Sequence, residues 1–339
     1  MKRVFVILAV AAQVLVLAVM AGEREWISGA GKVVYLRTAP VDPRDLFRGD
    51  FVRLRYELNN VRRDAMDAVL AQSEPKRHEV VYTRLRPVEE GLYEAAGTGS
   101  EPPGEGVFLR GRIDQHPRFG GRNDPAFVKY GIEQYFVEQG GGGVIEKQRG
   151  GRDDLQVPME VEVAIGSSGK AVIRGYRWSR LGMKLEMIRT PARRDRNAAP
   201  PPGPLSPKLR ITLANVSQGR LAIVNPGDNC AFQLVVAEWV AKSYQAAYGG
   251  CESAIAGAAE PILLAPGETY SAEIDLSEAR WHVVADGKPV EIGALPDFTQ
   301  FRIEYRARSS GADLATSQTS ERWQGRMPSR AFNANGFVD

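Results

Sequence analysis

Histidine and cysteine are scarce in this chain of 339 residues, and their scarcity removes whole classes of chemistry. The three histidines, His78, His116 and His282, stand far apart, so the paired-ligand spacings of zinc enzymes do not occur. Neither a metal nor a cofactor is expected. Cys230 and Cys251 are the only two cysteines, without CxxC spacing or a neighbouring histidine, and a single disulfide is the natural pairing. It would close a loop of about 22 residues, worth roughly 3 kcal/mol by the chain-entropy argument; two buried free thiols are the alternative. Charge of one sign is also lacking. A net charge of +3 gives no drive toward nucleic acid, which is not expected as a partner.

One long apolar run is present, and no second one follows it. Lys2 and Arg3 precede residues 4–22, in which eleven side chains are Val, Ile, Leu or Phe and Gln13 is the only polar one. As a helix this run is about 28 Å long, close to the hydrocarbon thickness of about 30 Å. The basic flank stays inside under the positive-inside rule. The expectation is therefore a single-pass protein held in the bacterial inner membrane through residues 4–22, with the bulk of the chain periplasmic or otherwise extracytoplasmic. Val19, Met20 and Ala21 also read as a signal-peptidase site, so a form cleaved after Ala21 and secreted stays open.

With 35 Gly and 21 Pro, the rest favours short strands and turns. Alternating runs predict strands over residues 33–37, 51–58, 79–85, 107–113, 132–137, 159–165 and 171–178. A short helix over 60–72, capped by Asn60, interrupts them, and Gly140 to Gly143 and the pair Gly150 and Gly151 read as loops. Pro191, the Arg-rich stretch Arg193 to Arg196 and Pro200 to Pro204 mark a linker over 190–207. Beyond it, runs over 208–214, 220–224, 231–241, 261–264, 269–275, 281–285 and 300–307 suggest an immunoglobulin-like β-sandwich. Trp239 lies between the cysteines, but their spacing is too compact for the antibody-type bridge, which favours a local staple. The predicted organisation is an anchor over 1–22, a β-rich domain over 30–189, the linker, a sandwich over 208–325 and a tail over 326–339.

Gly49 and Asp50 suit a tight turn, after which Val52, Leu54 and Tyr56 share one strand face and Phe51, Arg53 and Arg55 the other. A turn feeding a one-sided strand needs no chemistry to explain it. This segment nevertheless resembles the family named for its signature GDYXXLXY, bacterial proteins with a membrane anchor and no established activity. Gly49, Asp50, Leu54 and Tyr56 fit the signature, and Phe51 stands where it has Tyr. Pro40, Asp42, Pro43, Arg44, Asp45 and Arg48 before it, and Tyr130, Gly131, Ile132, Glu133, Tyr135 and Phe136 after it, are similar to the same family. The resemblance spans about residues 1–185.

Asp42, Arg44, Asp45, Arg48 and Asp50 crowd alternating charges into nine residues, a possible polar site. An anchored envelope hydrolase would need those carboxylates to converge in a cleft, whereas solvated turns and local ion pairs are the commoner outcome. Arg174, Arg177, Arg180, Lys184, Arg189, Arg193, Arg194 and Arg196 form a basic run that could meet anionic lipid or simply be solvated. Tyr130, Tyr135, Phe136, Trp178, Trp239 and Trp281 read mainly as core rather than as a ligand groove. No catalytic residue is assigned. The leading expectation is a non-enzymatic, membrane-anchored envelope protein that binds another protein or an envelope component, with the hydrolase and a secreted binding or adhesion module as rivals.

Overall fold

The computed structural model describes residues 2–38, 51–61, 65–72, 76–89, 91–114, 126–138, 141–150, 153–189, 206–236, 245–248, 251, 260–285, 287–296, 299–307 and 322–337. The chain opens with helix α1, Lys2–Ala30, whose apolar side chains project from the body with none buried before Ile27. A helix apolar all round and exposed lacks the stripe that would pack it on a soluble core. It is long and apolar enough to cross a membrane. Where the apolar run alone predicted an element ending near residue 22, the helix continues to Ala30, because Ile27 is buried against the turn at Gly166. Gly31 ends it at a close approach: a Cβ there would press on the carbonyls of Ile27 and Ile165.

Strands β1 (Lys32–Arg37), β2 (Phe51–Arg53), β3 (Asn60–Val61), β4 (Val80–Glu89), β5 (Leu92–Gly99), β6 (Val107–Ile113), β7 (Ala126–Lys129), β8 (Gln134–Phe136), β9 (Met159–Ile165) and β10 (Ala171–Trp178) follow, with helices α2 (Ala68–Gln72) and α3 (Gly141–Arg149). Eight of these strands form one sheet in the order β10-β9-β1-β5-β4-β6-β7-β3, while β2 pairs with β8. Residues of alternating character do what their period demands: Val34 and Leu36 of β1 turn inward beside Val161 and Val163 of β9, and all four are fully buried.

Several sequence expectations need correction here. The helix over 60–72 shrinks to its last five residues, since Asn60 and Val61 pair with Phe127 and Ala126 instead, and Asp67 rather than Asn60 accepts the capping bond, from the Leu70 N–H. The strand over 51–58 stops at Arg53, and Glu57–Asn59 makes a 3₁₀ turn. Gly141–Gly143 begin α3 rather than a loop, and Gly150, at φ 89°, supplies the left-handed residue beyond its end.

The second core begins earlier and ends later than the predicted sandwich. Strand β11 (Leu181–Arg189) pairs along its length with β12 (Lys208–Asn215), which pairs with β17 (Thr269–Asp275). Leu181, Met183 and Leu185 therefore pack in the second core, not the first. Between and after these lie β13 (Leu221–Ile223), β14 (Phe232–Val236), β15 (Gln245–Tyr248), β16 (Ile262–Leu264), β18 (Trp281–Ala285), β19 (Lys288–Glu291) and β20 (Phe301–Ala307). Residues 326–337 of the predicted tail belong to the second core: β21 (Gly325–Pro328) pairs with β20, and β22 (Phe332–Asn333) and β23 (Gly336–Phe337) extend that sheet. Phe332 is fully buried beside Phe301, which gives the apolar reason. The expected disulfide joins Cys230, in the turn before β14, to Cys251, after β15, with a Cα–Cα distance of 5.5 Å. Residues 190–205 of the linker and Trp239 lie outside the described residues.

Candidate functional site

Leu54 and Tyr56, the described part of the Gly49–Tyr56 motif that turns inward, are both buried. The Tyr56 hydroxyl donates to the Ile132 carbonyl at 2.8 Å, and the Leu54 N–H donates to the Glu133 carbonyl at 2.8 Å. Return bonds come from the second segment: the Tyr130 hydroxyl reaches the Leu58 carbonyl at 3.1 Å and Thr83 at 2.7 Å. Asn59, fully buried, accepts from the Tyr56 N–H and donates to the Val128 carbonyl. Glu133 accepts from the Tyr130 and Gly131 N–H groups. The two similar segments thus form one closed polar clasp, which satisfies backbone groups that burial would otherwise orphan. Burial, followed by the Glu133 charge, pushes the Tyr56 phenol well above its ordinary range, so it acts as a neutral donor. Tyr56→Phe should cost about 1–2 kcal/mol, because the Ile132 carbonyl loses its side-chain donor; a denaturant midpoint measured against wild type checks this.

Asp42, Arg44, Asp45, Arg48, Gly49 and Asp50 lie outside the described residues, and Phe51 opens β2 opposite Phe136. The predicted basic run is partly neutralised, since Arg177 reaches Glu160 at 2.8 Å and Arg174 reaches Glu162 at 3.5 Å. Of the predicted aromatics, Tyr130 and Trp281 are buried, Tyr135 and Trp178 each stack edge to face on Tyr176, and Phe136 is exposed rather than part of the core.

Immediately after the motif, Glu57 enters a charged junction between the two cores. Arg326 of β21 lies 3.6 Å from Glu94 and from Glu304 and 3.8 Å from Glu57. Arg37, at the end of β1, crosses the same junction: it bonds Glu160 at 2.8 Å, donates to the Arg326 carbonyl at 2.9 Å and lies over the Trp323 ring at 4.8 Å. Burial opposes the Glu160 charge, but Arg37 and Arg177 outweigh it and hold that carboxyl below its ordinary range. Glu57 goes the other way. Burial dominates over Arg326 and Arg37, Glu304 and Glu94 add repulsion, and the carboxyl rises from 4.5 to about 7. A folded-state pKa raised in this way favours folding fully below pH 4.5, and that contribution is lost as pH rises through about 7. Glu57→Gln, which mimics the protonated form, should match wild type below pH 4.5 and exceed its stability above pH 7 by up to about 3 kcal/mol, measured by urea unfolding across pH. Sequence reading missed this cluster because its members come from six separated segments. Only the position of Glu57 next to Tyr56 hinted at it.

A second feature is an open groove of about 610 Å³ on the first core, walled by β6, the end of β7 and the β9–β10 turn. Among the described residues Arg77, Arg110, Arg112, Lys129 and Lys170 line it, against the single carboxylate of Asp114. Hydrogen bonding by Lys129, aided by Arg77, holds that carboxyl below its ordinary range despite partial burial. Arg110 and Arg112 share one face of β6, whose other face buries Leu109, Gly111 and Ile113. With Glu23 counted against Lys170, three positive charges remain in excess among the described residues, which suits an anion.

No curated protein and no solved structure matches the chain. One family does match, over the stretch that carries α1 from Gln13, the clasp and the groove, and it ends inside β10, before the second core begins. Residues 13–175 match the family model described as GDYXXLXY protein, the family whose signature the segment around Tyr56 resembles.

Proposed function

We propose that this chain is a single-pass anchored protein of the bacterial inner membrane whose folded body, outside the cytoplasm, is a non-enzymatic binding module for an envelope component. The observation that carries the reading is α1: an apolar helix with no buried side chain along its membrane-length run, continuous with a buried Ile27 that fixes its end to the β9–β10 turn. That continuity supports retention of the helix, since cleavage after Ala21 would cut inside α1. The disulfide supports an oxidising compartment. The second half is read as an immunoglobulin-like sandwich, in support of which the sheets around β12 and β20 close over a single core. The clasp places Leu54 and Tyr56 in the interior, so the binding surface is sought elsewhere on the body. Membrane fractionation with mass measurement of the mature N-terminus tests the reading. Intact chain in the membrane fraction supports it, and intact chain in the soluble fraction refutes it.

A further inference from the structure

We propose that the basic groove holds the phosphate head group of an anionic phospholipid in the leaflet from which α1 emerges. The inference rests on the anchored reading above and adds a ligand class to it. Glu23 is the first charged residue after the apolar run, and both its carboxylate oxygens hold the Lys170 ammonium, at 2.6 and 2.8 Å. Lys170 is a wall of the groove. The groove is therefore tied to the point where the helix leaves the apolar layer. The same β9–β10 turn is stitched to β6, because the Gly169 carbonyl accepts the Arg110 N–H at 2.8 Å.

Charge within the groove is unevenly spent. Asp114 is engaged by Lys129 and Arg77, and Glu23 by Lys170. Arg110 and Arg112 have no carboxylate partner among the described residues, and the only side-chain bond of Arg112 among them is to the His78 carbonyl. Two guanidinium groups two residues apart on one strand face offer the planar, paired donors that phosphate oxygens accept. Near an anionic bilayer surface each such cation is attracted by about 1 kcal/mol. The basic run at Arg174 and Arg177, by contrast, is already paired with Glu162 and Glu160.

The test uses the full chain in neutral-detergent micelles, titrated calorimetrically with a short-chain phosphatidylglycerol, its phosphatidylcholine counterpart, glycerol phosphate and inorganic phosphate. Saturable binding of the phosphatidylglycerol alone, weakened about tenfold or more by Arg110→Gln with Arg112→Gln, is the expected result. Arg110→Lys, which keeps the charge but loses the planar paired donors, should weaken binding less than Arg110→Gln does, and unchanged thermal unfolding of each variant excludes misfolding as the cause. Equal binding of both lipids, or an unchanged affinity in the double variant, overturns the proposal. So does binding of inorganic or glycerol phosphate as tight as that of the lipid, which would assign the groove to a soluble phosphate compound. Intact membrane-bound chain that ignores phosphatidylglycerol sinks the groove alone, whereas a chain cleaved after Ala21 sinks the anchoring.

Discussion

Arg37→Met should destabilise the protein by about 3–5 kcal/mol, the largest effect expected of any single substitution considered. Arg37 and Glu160 are 5% and 4% exposed, so removing the cation leaves a carboxylate in a low-dielectric setting with only the half-exposed Arg177 beside it. The loss also removes the bond to the Arg326 carbonyl and the stacking on Trp323, so both cores feel it. Adding Glu160→Gln should restore most of the stability, because an unpaired buried amide costs far less than an unpaired buried charge. The pH dependence has a definite sign. The depressed Glu160 carboxyl stabilises the wild type above its ordinary value of 4.5 and loses that contribution as pH falls through its lower folded value. The gap between wild type and Arg37→Met should therefore narrow on acidification, as urea midpoints taken across pH would show. A cost below about 1 kcal/mol at neutral pH would mean that the junction is solvated and carries little of the fold.

The second large effect concerns the disulfide. Cys230→Ser with Cys251→Ser, or reduction of the wild type, should cost about 3 kcal/mol, as expected for releasing a loop of about 22 residues in the unfolded chain. Trp281 and Trp323 both sit in the second core, so fluorescence of a chain with Trp26 and Trp178 replaced by Phe follows its unfolding. The denaturant midpoint should fall and the transition should sharpen, because the unfolded chain without the bridge is less compact. An equal midpoint with and without reductant would show that the bridge contributes nothing.

Much of the fold was legible in local pattern. Strict alternation over Val161, Val163 and Ile165 located β9 to the residue, and the apolar run located α1, because each signal lies within a few neighbouring side chains. Boundaries failed where a distant partner decided them. Asn60 looks like a helix cap in isolation, yet Phe127 of β7 draws it into a strand. Leu181–Arg189 stands before the proline-rich stretch but pairs with β12 beyond it, a choice invisible without the partner strand. The triple glycine at Gly141 favours a loop by propensity, whereas the helix it opens is held by the buried Ile145. The candidate site was harder still. The motif tyrosine could be found from its neighbours, but its acceptor on Ile132 lies 76 residues away. By the period of their strand Arg110 and Arg112 are ordinary outward residues, and only the β9–β10 turn brings Lys170, the partner of Glu23, into the same groove.

The orientation of the body relative to the bilayer governs both the binding-module reading and the lipid groove. Fusing alkaline phosphatase, which folds actively only outside the cytoplasm, after Asp339 of the full chain examines that orientation in living cells. High phosphatase activity in the membrane fraction is the predicted result. An inactive phosphatase fusion, with a cytoplasmic reporter active at the same position, would contradict it.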